Sequence, residues 1–223
     1  MWNEFNIKTF PAETIVYRDG VFCPDLSTLA GPEIPSDTIL PVHVIYVGEI
    51  SGENHLNLDI HGDNRRVFLS VKIKNKFPAF LNIFIKNAGK NSEMRGGVIV
   101  QNQSELTVNV SANHTAPDTT ILIHTRLIAD EVSQSKLTGV AMIDSNAPNA
   151  VSDISFSAIA APNARIEFAP TQRIAAAPQS ADHSASIYHA TAPQINYLRM
   201  AGLGGIEVKD ALREAFENGI DLF

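Results

Sequence analysis

The chain has 223 residues, of which 44% are hydrophobic and only 18% charged. That apolar content is enough to fill a core and excludes wholesale disorder, and the length accommodates one large or two small domains. Its 17 Lys and Arg against 24 Asp and Glu leave a net charge of −7, which disfavours nucleic acid as a partner because such binders present a basic face.

Nothing approaches the ~18–20 consecutive apolar residues that cross a bilayer. The start, Met1-Trp2-Asn3-Glu4-Phe5-Asn6-Ile7-Lys8, has no basic segment followed by an apolar run, so no secretory signal is expected. The single cysteine, Cys23, cannot form an internal disulfide, which suits a reducing compartment. A cytoplasmic protein is the expectation, and the Asn-x-Ser/Thr triplets at Asn102, Asn109 and Asn113 are then chance.

Residues 1–45 are punctuated by Pro11, Pro24, Pro32, Pro35 and Pro41, too often for long helices. Short extended pieces fit at residues 14–17 and 42–47. Between them Arg18-Asp19-Gly20 reads as a turn, because Asp-Gly supplies the positive φ that tight turns need. From residue 55 the pattern becomes short strands with apolar residues at period two: Leu56, Leu58 and Ile60; Val67, Leu69, Val71 and Ile73; Leu81, Ile83 and Ile85. Val98-Ile99-Val100, Leu106/Val108/Val110, Ile121-Leu122-Ile123, Val140/Met142, Ile154/Phe156 and Ile166/Phe168 continue it. Period two places one face in a core and the other in water.

No run between these strands has a convincing 3.6-residue period, so βαβ units are not expected. Sandwich, jelly roll and β-helix remain. Asn-Gly hairpin turns are missing, and the connectors are built from small residues and Asn, as in Asn87-Ala88-Gly89, Ser145-Asn146-Ala147-Pro148-Asn149-Ala150 and Ala161-Pro162-Asn163-Ala164. Such corners suit one coil turning onto the next, where bulky side chains would clash, and favour the β-helix. At the end of the chain Thr191-Ala192-Pro193-Gln194 is a capping-box start. A short helix follows through Ile195, Leu198 and Ala201 to Gly202, then a Gly204-Gly205 hinge. A second helix carries Val208, Leu212, Ala215 and Phe216 on one stripe, with Gly219 as its cap.

Several constellations invite a chemical reading. His55, Asp59 and His61 share one side of a strand and are suitable ligands for iron, zinc or manganese, which would make the protein a metal-dependent all-β enzyme. The His-x-His and glutamate of cupin-type metalloenzymes are absent, and a wet polar face explains the same residues. His183 lies beside Asp182 in a small-residue strip; neighbours on a strand face opposite ways, so the two cannot line one pocket. No Gly-x-Ser-x-Gly elbow exists, and Cys23, ahead of Pro24, reads as a small filler rather than a nucleophile. Gly202-Leu203-Gly204-Gly205 is not a phosphate loop, since no strand precedes it and no Gly-Lys-Ser/Thr follows. Asp59, Asp63 and Asp153 lack any spacing that would single them out as glycosidase acids.

Residues 136–223 resemble the C-terminal part of the SufB/SufD family of iron–sulfur cluster assembly proteins. The resemblance runs through Gly139-Val140-Ala141-Met142-Ile143, Ala161-Pro162-Asn163-Ala164, Ala169-Pro170-Thr171 and Asp182-His183-Ser184-Ala185-Ser186. It ends in Tyr197-Leu198-Arg199-Met200-Ala201-Gly202-Leu203, similar to the family's Tyr-Leu-x-x-Arg-Gly-Leu. Upstream, residues 16–27 are similar to a segment ahead of the β core in SufD members. The resemblance implies a mainly β fold: a right-handed parallel β-helix with a small C-terminal helical hairpin. It also implies a non-enzymatic role: docking of SufC, an ABC-type ATPase, through the helices, and pairing of the β-helix with another SufB or SufD chain.

Three segments are then expected: 1–50 capping the core, 51–190 as the β-helix, and 191–223 as the helical part. On this resemblance the chain is expected to be a minimal version, without the family's large N-terminal helical region. The SufB scaffold cysteine falls on Ser155 by ungapped spacing from His183, and a hydroxyl is a far poorer iron ligand than a thiolate, which makes the chain SufD-like. His183 corresponds to the family's interface histidine and is the candidate metal ligand, with a transient iron–sulfur cluster at a dimer interface as the implied cargo. Asp182, His183, Tyr197, Leu198, Gly202, Leu212 and Phe216 are the candidate partner-binding residues. Ala201 stands where the family has arginine, and Ser184 where SufB has its second acid.

Overall fold

The structure, a computed structural model, describes residues 13–35, 40–130 and 132–218; Pro11 and the cap expected at Gly219 lie outside these. Its strands are β1 (Glu13–Arg18), β2 (Val21–Phe22), β3 (Val42–Glu49), β4 (Gly52–Ile60), β5 (Arg66–Asn75), β6 (Ala79–Asn87) and β7 (Glu93–Asn102). β8 (Glu105–His114), β9 (Thr120–Ala129), β10 (Gln134–Ile143), β11 (Val151–Ala160), β12 (Arg165–Ile174) and β13 (Ser180–Tyr188) follow, with helices α1 (Ala192–Met200) and α2 (Gly205–Asn218).

From β3 onward, consecutive strands lie in opposite sheets. One sheet has the order β13-β11-β9-β7-β5-β3-β1-β2 and the other β12-β10-β8-β6-β4. Every pairing is parallel except the β1–β2 hairpin. The chain therefore winds as a flattened parallel β-solenoid of about six turns, closed at its start by the β1–β2 hairpin and finished by two helices. Jelly roll and sandwich are excluded, since both are antiparallel.

In-register stacking converts the period-two pattern into columns. Ile15, Val44, Leu69, Gly96, Ile123, Ile154 and His183 succeed one another in a single inward column. The two inward faces share one core, in which Leu56, Leu81, Ile85, Val108 and Leu137 are almost fully buried. In β10 the inward residues are Leu137, Gly139, Ala141 and Ile143, so Val140 and Met142, which period two alone selects as the core face, lie outside. The reason is volume: a Cβ added to Gly139 would stand 2.8 Å from Ile154 and 2.9 Å from the Phe156 ring. The large ring of β11 fills the space, and β10 contributes only small residues beneath it.

The corners are polar and repetitive. Asn64, Asn91, Asp118 and Asn149 all adopt positive φ, between 54° and 60°, which Asn and Asp tolerate better than other non-glycine residues. Asn91 Nδ2 donates to Asn64 Oδ1 at 2.7 Å, 27 residues back, and Asn149 Nδ2 to Asp118 Oδ1 at 3.1 Å, 31 residues back. A second set at strand ends is buried: the amides of Asn75, Asn87 and Asn102 donate to backbone carbonyls of the turn or of a neighbouring coil. These bonds satisfy corner groups that would otherwise be buried without partners. The expected Asp19-Gly20 turn is present as the two-residue β1–β2 loop, with φ of 51° and 82°.

His114 takes the corner position that Asn87 holds one coil earlier. It is completely buried. Thr119 donates its hydroxyl proton to the Ala116 carbonyl at 3.0 Å, so His114 Nδ1–H donates to Thr119 Oγ1 at 2.9 Å. Nε2 is left buried without a partner. Burial pulls this imidazole down to about 4 from its ordinary 6.5. The unfolded chain then binds the extra proton between those values and the native protein does not. Stability is in full force above the ordinary value and falls as pH drops toward about 4, by about 3 kcal/mol in all. His43, also lowered by burial, acts in the same sense. Urea unfolding followed by circular dichroism at about pH 7 and about pH 5 checks this: His114→Asn narrows the difference between the two, and an unchanged difference would show that His114 is not its source.

Candidate functional site

Toward the C-terminal end two regions stand open to other molecules: the last coil of the solenoid and the helical hairpin. At the last coil, among the described residues, β12 pairs only with β10 and β13 only with β11, so both carry a free edge. The inward residues here are only partly covered. Ile166 and Phe168 pack against the core from one side, while Ile174 and Ile187 are about half exposed. An unprotected parallel edge with apolar side chains beside it is a ready template for another chain.

His183 sits in this opening. By register it follows Ile154 on the inward face, and in this last described coil it is exposed. Asp182 points the other way, over Asp153, and accepts a hydrogen bond from Ser180 Oγ at 2.5 Å. The opposed orientation of Asp182 and His183 follows from their both lying on a strand.

Ser155 is also on the outward side, in register with Ser184 and His124. Its hydroxyl donates to Asp153 Oδ1 at 2.7 Å, and His124 Nε2 lies 3.2 Å from Asp153 Oδ2. The hydrogen bond from His124, and secondarily that from Ser155, holds the Asp153 carboxyl below the usual carboxylate range against the opposing effect of burial. Within one chain, therefore, Ser155 and His183 are on opposite faces of the sheet. The His124–Asp153–Ser155 group was not legible beforehand, because His124 and Ser155 become neighbours only through the coil register.

His55, Asp59 and His61 do not assemble. His55 and Asp59 are exposed on the outward face of β4, His55 lies 3.2 Å from Glu53, and His61 follows the end of the strand. Among the described residues no group of three or more His, Cys, Asp or Glu side chains is placed to hold a metal ion. Cys23 is half-buried, just ahead of a short 3-10 turn at Pro24–Leu26.

The hairpin begins with the capping box anticipated at Thr191. Its hydroxyl accepts from Gln194 N at 3.5 Å, while Gln194 Oε1 accepts from Thr191 N at 2.9 Å. Gly202, at φ 93°, ends the first helix. In α2 Glu207 accepts from Gly204 N at 2.6 Å, satisfying a donor at the helix start and setting a negative charge against the positive end of the helix dipole.

Of the apolar stripe of α2, Val208, Leu212 and Phe216 face this chain's own first sheet, while Ala215 is exposed. Val208 is 4% exposed, and Leu212 lines a cleft against Ile128 and Ile159. Phe216 lies 6.1 Å from the Tyr188 ring, with the Arg126 guanidinium 5.2 Å above its ring. Arg126 also donates to the Phe216 carbonyl, Arg213 pairs with Asp130, and Lys72 Nζ meets Glu217 Oε2 at 2.7 Å. Lys72, Ile99 and Arg126 occupy one outward row, and Ile99, flanked by the two cations that grip the helix, is 4% exposed.

The other side of the hairpin is open. Tyr197, Met200 and Ile206 are 74%, 88% and 78% exposed. Leu198 is partly covered and Gly202 is exposed.

Arg126 combines a charged hydrogen bond with a cation over a ring, together about 1–3 kcal/mol. Arg126→Ala raises amide hydrogen exchange throughout α2 and leaves β9 protected. Equal protection of α2 in both proteins would show that the helix is held by its apolar stripe alone.

No curated protein matches the chain. The family model described as SUF system FeS cluster assembly, SufBD core domain, matches residues 67–216, which span all but the first strands of the solenoid and nearly all of the hairpin. That match covers well over half of the chain, and the protein belongs to the SufB/SufD family of the SUF iron–sulfur cluster assembly system.

Proposed function

We propose that this protein is a non-enzymatic, SufD-like component of a SUF assembly complex, docking a SufC-type ATPase through the hairpin and pairing with a SufB- or SufD-like chain through the last coil. One observation carries the reading. α2 is tied to the sheet by apolar, ionic and aromatic contacts, while Tyr197, Met200 and Ile206 stand in solvent on the other side of the same hairpin.

Large exposed apolar side chains clustered on one small element mark an interaction surface. Tyr197, Leu198 and Gly202 belong to the docking face. Leu212 and Phe216 contribute by anchoring the hairpin to the solenoid, so that a displacement of the hairpin reaches β9 and β11. The stacked sheets are stiff, and they run from this anchor to the free edges of β12 and β13.

The iron–sulfur cluster is cargo in this reading. His183 is the residue offered to it, at the open end. The carboxylate of Asp153 occupies the Ser155 hydroxyl, and a hydroxyl is a weak iron ligand. Further ligands, thiolates above all, come from the second chain. The protein's share of the work is to position that chain and to cover the cluster with apolar surface from Phe168 and Ile187.

Size-exclusion chromatography with a purified SufC-type ATPase tests the docking. Co-elution is expected, and Tyr197→Glu with Met200→Glu abolishes it while leaving the circular dichroism spectrum unchanged. Failure of the native protein to co-elute, with and without nucleotide, overturns the reading. The second interface is read by sedimentation velocity of the protein alone and mixed with a SufB-type chain. Ile187→Glu weakens pairing by about tenfold or more, as expected for an exposed apolar residue placed at an interface centre.

A further inference from the structure

We propose that the cleft between the helical hairpin and the first sheet binds a small amphipathic anion, a carboxylate on a short apolar body. This site is separate from the docking face and from the last coil. Its cavity measures about 450 Å³, within the range of ~300–1,000 Å³ typical of small-molecule sites.

The interior of the cleft is apolar. Ile128 and Ile159 form the floor from β9 and β11, Pro162 closes one side, and Ile195, Val208 and Leu212 form the helical wall. Ile128 is almost fully buried, yet the layers above it do not close, so α2 rests on the sheet with a gap beneath it. An apolar ligand body fills such a gap by the same gain that builds a core.

The rim has the opposite character. Arg199 and Arg213 line it; among the described residues its one carboxylate, Asp130, is paired with Arg213, and Lys209 beside them is already engaged. Glu207, on the same helix, is engaged with the helix start. The Arg199 guanidinium has no hydrogen-bond or ion-pair partner among the described residues, and its planar fork matches a carboxylate in a two-point contact. Apolar floor and cationic rim together define the ligand: an uncharged hydrocarbon leaves the rim unused, and a compact inorganic anion leaves the floor empty.

A ligand lying here touches both β strands and both helices. It therefore adds contacts across the junction by which the hairpin is held, and its presence stiffens that junction.

Isothermal titration of the full chain with decanoate, with decanol as the uncharged control, tests the site. One decanoate per chain is expected, with decanol weaker by about tenfold, the value of one charge-assisted contact. Arg199→Glu reduces decanoate affinity by at least that factor and leaves decanol unaffected. Leu212→Trp and, on the opposite wall, Ala161→Trp fill the cleft and abolish both; the two are paired so that one survives if the other disturbs folding, judged by circular dichroism. Binding that is not saturable, equal affinity for the two ligands, or binding untouched by both filling variants overturns the proposal. The outcome is distinguishable from ATPase docking, because Tyr197→Glu with Met200→Glu removes docking and leaves decanoate binding intact.

Discussion

Everything in this molecule depends on one constraint: a side chain that points inward must fit the residue one coil away in its own column and the residue facing it across a thin core. The constraint is what pairs Gly139 with Phe156, since the ring takes the volume a Cβ would need, and what aligns the Asn and Asp corners so that the amides of Asn91 and Asn149 each reach the corner one coil back. It also makes the solenoid a one-dimensional object, in which each coil is stabilised mainly by its immediate neighbours. Such an object has two ends and two outer faces, and the functional regions occupy one end and one face.

Much of the fold was legible because strand alternation and corner chemistry are local. Leu56, Leu58 and Ile60, or Val67, Leu69, Val71 and Ile73, each reveal a buried face by themselves. The connectors around Asn87 and Asn149 reveal tight corners, and the missing hairpin signals turned the choice toward stacked coils. What failed was the assignment in β10, where the largest apolar residues, Val140 and Met142, lie outside. Size-weighted patterning misleads wherever the opposite wall supplies the bulk. The coil register was hidden too, because the step between equivalent corners changes from 27 to 31 residues along the chain. Without the register nothing brings His124 to Asp153, or shows that Ser155 and His183 face apart.

The hairpin divides the same way. Its capping box, its ending at Gly202 and the stripe of α2 are written in sequence because they are helical properties. The surface that the stripe covers is not. A trace was present in Val98-Ile99-Val100 and Leu127-Ile128-Ala129, where the alternation lapses and consecutive residues are all buried. Strands covered on both faces read as continuous apolar runs, so these triplets marked in advance where a second layer would lie. The polar fastenings, Lys72 to Glu217 and Arg213 to Asp130, join residues far apart in the chain and leave no such trace.

The column that starts at Ile15 and ends at His183 has a consequence for growth. An open-ended stack of hydrocarbon invites unlimited head-to-tail addition, the route by which solenoids turn into fibres. Here the terminal member is an imidazole, and sealing it beneath an aliphatic layer would strand its ring nitrogens without partners. A newcomer is admitted only if it brings a polar group to meet that ring, so a single substitution in one column makes the terminus discriminating instead of sticky.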